Sequence, residues 1–202
     1  MTTAEVVQPP GPEVLSGNSQ SWPDRAVSMC GYISQMTEHS RGDLAELRRM
    51  NPEEPDAAAF WRLMAHHDLL DIGEDVERKW ALIIHGIALM TPTTGSNTAH
   101  DRSRRVGQAL YLGSESQRAD AFYSETRLNR LLTSGGPMLR TLLRRMFRML
   151  AAADATFDWQ EMARFILNEG YDEEAAEQGR RRIAREYYRE ERRSSRSNAE
   201  NN

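Results

Sequence analysis

Apolar residues recur every three or four positions along nearly the whole chain, the spacing that gathers side chains on one face of an α-helix. Starting near Pro23, Trp22, Val27, Cys30, Ile33 and Met36 share one side. A shorter stretch opens at Asp43, an N-cap residue type, carries Leu44, Leu47 and Met50, and stops at Pro52. Pro55 predicts the first turn of a third helix with Phe60, Trp61, Leu63 and Met64 inward. Glu74 to Met90 is the most apolar stretch and ends at Thr91-Pro92, and Thr93 to Ala99 is loop by composition.

The pattern resumes from Asp101 to Leu112 with Val106 and Leu110 inside, and Gly113 ends it. Ser116 predicts the cap of a helix running to Leu132, and Pro137 the first turn of another reaching about Ala153. Asp158 caps a helix through Leu167 that ends at Gly170. Glu173 to about Arg192 forms the last, with Ile183, Ala184, Tyr187 and Tyr188 on its inner side. No run of alternating β-branched residues competes with this reading. The predicted fold class is all-α, about nine helices in two groups with no sheet. Residues 1–20 are expected to be a flexible lead and residues 21–92 the N-terminal helical group. Residues 93–100 form a loop, 101–193 the C-terminal group and 194–202 a polar, disordered tail.

Composition narrows the setting. The longest apolar run, Ala81 to Met90, is interrupted by His85-Gly86 and falls short of the roughly 20 residues a bilayer span needs. The first residues lack the basic start and apolar stretch of a secretion signal. Cys30 is the single cysteine, so no internal disulfide is possible and a reducing compartment suits the chain. A cytoplasmic protein without a membrane anchor is expected.

Charge is distributed unevenly. The net charge is −4, yet residues 1–100 carry −7, residues 101–150 carry +6 and residues 151–202 carry −3. All cations of the basic stretch are arginines: Arg102, Arg104, Arg105, Arg118, Arg127, Arg130, Arg140, Arg144, Arg145 and Arg148. The planar donor fork of arginine matches phosphate oxygens better than the point charge of lysine does. Arg140, Arg144 and Arg148 follow a four-residue spacing that sets them along one side of a helix, about 6 Å apart per step. Arg145 widens that row, while Leu139, Leu142, Leu143, Met146, Phe147 and Leu150 must seek a core. Arg127 and Arg130 are neighbours on the preceding helix, and Arg102, Arg104 and Arg105 sit at a helix start, where the helix dipole gives cations no support. Two readings fit such rows: an external polyanion, or a structural arginine face paired with the chain's own acids or with a protein partner in an adaptor.

Catalytic and metal motifs find little support. The neighbouring His66 and His67 point about 100° apart on a helix, so they cannot easily share an ion, and HExxH is absent. Cys30 has no basic neighbour to favour a thiolate. The acids Asp172, Glu173, Glu174 and Glu177 stand at a helix start, where the dipole favours them. No phosphate-cradling or nucleophile-elbow motif occurs. Neither a cofactor nor a metal site nor an enzymatic activity is expected.

Several local strings, read in order, carry a resemblance. They are RGDLAELRRM (Arg41 to Met50) followed by Pro52 and Pro55, AFWRL (Ala59 to Leu63), VGQAL (Val106 to Leu110) and RLNRLL (Arg127 to Leu132). FDWQEMAR (Phe157 to Arg164) and IAREYYR (Ile183 to Arg189) complete the set. Together, across residues 25–190, they resemble the small subunit of the type I-E Cascade complex, the CasB family. That resemblance implies an α-helical protein that dimerises within a crRNA-guided antiviral complex and touches its backbone and large subunits. It further implies a basic surface that steadies the crRNA–target duplex and the displaced DNA strand of the R-loop, without nuclease activity. Carried onto matching positions, Arg48 and Arg49 become candidate phosphate contacts, with Arg127, Arg130, Arg144, Arg145 and Arg148. Arg102, Arg104, Arg105 and Arg140 stand as candidates on charge pattern alone. Contacts to backbone phosphates carry affinity without base information, so readout is expected to be sequence-independent.

Overall fold

The computed structural model describes residues 21–93 and 97–200; the lead predicted for residues 1–20 lies outside them. Among the described residues there are nine helices and no strand, the one β pairing being an isolated bridge between His100 and Phe157. The helices are α1 (Trp22–His39), α2 (Arg41–Arg49), α3 (Ala58–His66), α4 (Glu74–Met90) and α5 (Val106–Leu112). Then come α6 (Glu125–Thr133), α7 (Gly136–Ala152), α8 (Trp159–Asn168) and α9 (Glu173–Glu200). The all-α expectation holds. Among the described residues no helix is long and apolar enough to cross a membrane.

α4 forms the centre because it is apolar all round: every residue from Trp80 to Ala88 is buried. It packs between α2 of the first half and α7 of the second, while α1 lies on α8 and α5 on α9. One contiguous apolar cluster therefore runs from Trp22 to Tyr187 through both sequence halves. Within it, Phe147, Phe157 and Trp159 lie with ring centroids 4.9–6.4 Å apart. Gly86 lets α4 approach them, since a Cβ there would stand 2.7 Å from the rings of Phe147 and Trp159. His85, in the same helix, places Nδ1 3.0 Å from the Leu47 carbonyl, tying α4 to α2.

Local departures from the predicted pattern have physical reasons. Asp101 accepts hydrogen bonds from the Ser103 amide and hydroxyl, so residues 101–104 form a turn and α5 starts only at Val106. Gly113, at φ +66°, ends α5, and the chain doubles back through bonds from the Phe122 and Tyr123 amides to Tyr111 and Leu110. The helix expected from Ser116 therefore begins at Glu125. Trp61 faces outward in part, edge-on to Phe60. The tail expected to be disordered from residue 194 is instead helical to Glu200. Its polar sequence concealed a docking site: Ser194 is buried, and Ser194 and Ser197 line a recess with Ser116 to Ala119.

The closest seam lies between α5 and α9. A Cβ built on Gly107 would fall 2.1 Å from the Ile183 carbonyl oxygen and 2.8 Å from the Tyr187 nitrogen, so two backbones touch with no side chain between them. Gly107→Ala should destabilise the fold by about 1–3 kcal/mol despite alanine's better helix propensity. Thermal denaturation followed at 222 nm will read this as a lowered Tm; an unchanged Tm would refute the contact.

His67 ends α3 in a buried position with no hydrogen-bond partner for Nε2. Burial first, then the neighbouring His66 and Arg25, push its imidazole from 6.5 down to about 4. In the unfolded chain the ring takes a proton near pH 6.5, whereas the folded ring resists until about pH 4. The unfolded state thus binds more protons across that window, and stability present above it is lost as pH falls. Urea denaturation at successive pH values should show this decline, and His67→Gln should flatten it.

Candidate nucleic-acid interface

The predicted arginines divide into those held by the protein and those left to solvent. Arg48 belongs to the first set. Its Nε donates to the Ala88 carbonyl at 2.8 Å, and its Nη2 donates to that of Thr91. It closes the C-terminal turn of α4, where orphaned carbonyls and the helix dipole attract a cation. Burial lowers its pKa from the usual arginine value. Arg104 donates to the Glu115 carbonyl at 2.8 Å and so pins the loop after α5. Arg105 pairs with the buried carboxylate of Asp158 at 3.2 Å, which also caps α8 by accepting from the Gln160 amide.

Arg140 is held most firmly. Its Nε and Nη2 donate to the two oxygens of Glu53, each at 2.8 Å, in a bidentate pair between residues 87 apart in sequence. The hydrogen bond from Arg140 holds the Glu53 carboxyl below its usual range, and the same bond raises Arg140. Glu53 is delivered by the corner after α2, where buried Pro52 and the Asn51 side chain, which accepts from the Glu53 amide, fix the turn. The one-sided row predicted on α7 therefore begins with a neutralised member.

Arg144 is intermediate. One Nη lies 3.4 Å from the Asn51 side-chain oxygen, while its Nε is buried without a partner. Burial and then the positive charge of Arg148 lower its pKa. Arg145 and Arg148 are exposed and make no ion pair with a described residue. The opposite face of α7 is buried through Leu139, Leu142, Leu143, Met146, Phe147 and Leu150, so the helix is amphipathic as read. Because Asn51 meets Arg144, the end of α2 with exposed Arg49 lies beside this patch. Arg127 and Arg130 on α6, and Arg102 in the turn before α5, are exposed and also lack an ion pair with a described residue.

The structure thus leaves Arg144, Arg145 and Arg148 together on α7 beside the corner at Asn51, and assigns Arg48, Arg104, Arg105 and Arg140 to internal partners. Sequence reading missed Asn51 and Glu53, which bound the patch, because no local spacing reveals a pair so distant in the chain. Among the described residues no group of three or more His, Cys, Asp or Glu side chains could hold a metal ion.

Arg48→Met should remove the α4 latch and destabilise the protein by roughly 1–3 kcal/mol, since the Ala88 and Thr91 carbonyls lose charged donors. Equilibrium urea unfolding measures this, and Arg49→Met, on the exposed side of the same turn, should change stability by less than about 0.5 kcal/mol.

The family model described as CRISPR-associated protein Cse2 matches residues 43–188. No curated protein and no solved structure matches the chain.

Proposed function

Because this chain belongs to the family of CRISPR-associated protein Cse2, the small subunits of type I-E Cascade, we propose that it grips phosphodiester backbone without reading sequence and without catalysis. In this reading the α7 patch steadies the crRNA–target duplex and the displaced DNA strand, while other faces dock on the backbone and large subunits. Two copies act side by side as a homodimer within the complex, in the cytoplasm.

The carrying observation is the state of Arg144, Arg145 and Arg148. Three guanidiniums lie within two turns of one helix, two of them unpaired with any described residue and the third with a buried donor left unsatisfied. Mutual repulsion along such a row costs a few tenths of a kcal/mol per pair, and an external polyanion relieves it. Strand exchange against a guide is nearly balanced in energy, so a few backbone contacts are enough to tip it. The adaptor reading, in which arginines serve structure, describes Arg48, Arg104, Arg105 and Arg140 well. Within the chain it gives Arg145 and Arg148 no described ion-pair partner, so it must add an acidic protein to account for them.

Arg145→Glu combined with Arg148→Glu, built into the assembled complex, tests the proposal. Permanganate reactivity of the displaced strand should fall on the order of tenfold at physiological salt, since two phosphate contacts become two repulsions. The circular-dichroism spectrum should not change. Undiminished strand opening in the double variant would sink the α7 surface as the contact.

A further inference from the structure

α9 carries a second row of arginines that its overall charge conceals. Over residues 173–200 the chain has eight arginines and seven acidic residues, close to neutral. The helix's own acids pair with Arg180, Arg181, Arg189 and Arg193, and leave the others without an ion pair to a described residue. Ala176, Ile183, Tyr187, Glu190 and Ser194 are buried and define the inner face. Arg182, Arg185, Arg189, Arg192 and Arg196 are all exposed. Their spacings of three, four, three and four residues place them within an arc of about 80° opposite that inner face, along about 21 Å of helix.

The acids nearest the row flank it. Glu190 is buried against the core, and Glu186 lies at the flank, where it binds Arg189 at 2.7 Å. Arg182, Arg185, Arg192 and Arg196 make no ion pair with a described residue. Successive members are near neighbours of like sign, an arrangement that costs helix stability and that folding alone does not require.

We infer that the outward face of α9 is a second phosphodiester-binding track, separate from the α7 patch and able to hold a single-stranded segment along its length. The row is purely arginine, and arginine recognises phosphate oxygens through paired donors. A protein partner would need an apolar centre to the interface, usually aromatic. Between Arg182 and Arg196 this arc offers none: its only neighbouring ring, Tyr188, sits at the margin with its hydroxyl bound to Glu125. The chemistry therefore favours a polyanionic strand over an acidic protein.

The test uses the full chain and a mixed-sequence single-stranded DNA oligonucleotide, with binding followed by fluorescence anisotropy across a salt series. Converting Arg182, Arg185, Arg192 and Arg196 together to Gln should reduce the slope of log K against log salt by about 2–3, at about 0.7 per lost phosphate contact. Affinity near 0.1 M salt should fall at least about tenfold. Arg145→Gln with Arg148→Gln should lower the slope by a separate increment, and the combined variant should lose both. All four lie on the solvent face, so the Tm should hold, and a variant with two changes, Arg192→Gln and Arg196→Gln, gives half the effect if the quadruple change perturbs folding. If the α7 variant loses slope while the α9 variant keeps it, the α9 inference fails and the α7 reading stands. The converse refutes the α7 reading and retains α9, and no binding by the unaltered chain removes both. Unchanged oligonucleotide binding with loss of the chain from the assembled complex would make this face a protein-docking surface and overturn the inference.

Discussion

A guanidinium can satisfy helix carbonyls or it can satisfy phosphates, and this fold rests on cations committed to the first task. Four helices end on a basic side chain contributed from outside the helix. Arg41 closes α1 at Thr37, Arg25 closes α3 at His67, Arg48 closes α4 at Ala88 and Thr91, and Lys79 closes α8 at Leu167. Each bond answers the orphaned carbonyls of a helix end and the negative pole of its dipole at once. Three of them reach across at least 40 residues, so they fix how helices meet as well as where they stop. The arginines left over, on α7 and on the outside of α9, are free of that duty.

The halves suggested by charge are joined by these same devices. Lys79 lies in the acidic half and closes a helix of the second, while Glu53 lies in the acidic half and holds Arg140 of the basic one. The apolar cluster continues across the junction through α1 on α8 and α4 on α7. An acidic first half therefore acts partly as an internal counterion, and it does so at one end of the α7 row only. That leaves a gradient along the helix, from neutralised Arg140 through half-satisfied Arg144 to unpaired Arg148.

Much of the architecture was legible because helices write their core in residue spacing. The period of Leu139, Leu142, Leu143, Met146, Phe147 and Leu150 gave both the buried and the exposed face of α7, and Asp158 announced the start of α8. Where backbone bonds to distant chain decided the matter, pattern failed: residues 116–124 look helical yet fold back on α5, and Ser194 onward looks disordered yet packs in a recess. The arginine rows were legible, but not their division between internal partners and solvent. Arg48 and Arg49 are adjacent and alike in sequence, and only the position of α4 separates a latch from a surface group. The α9 row escaped notice for a different reason: averaging charge over a segment hides the cations that the helix's own acids leave unpaired.

The contact of bare backbones at Gly107 has a consequence for that last helix. Where helices meet through side chains, rotamer changes let one roll on the other by several degrees. Here there is no such cushion, for the Ile183 carbonyl rests against an α-carbon. The azimuth of α9 is thereby dictated by an atom that position 107 lacks, and so is the bearing of every side chain along its outer edge.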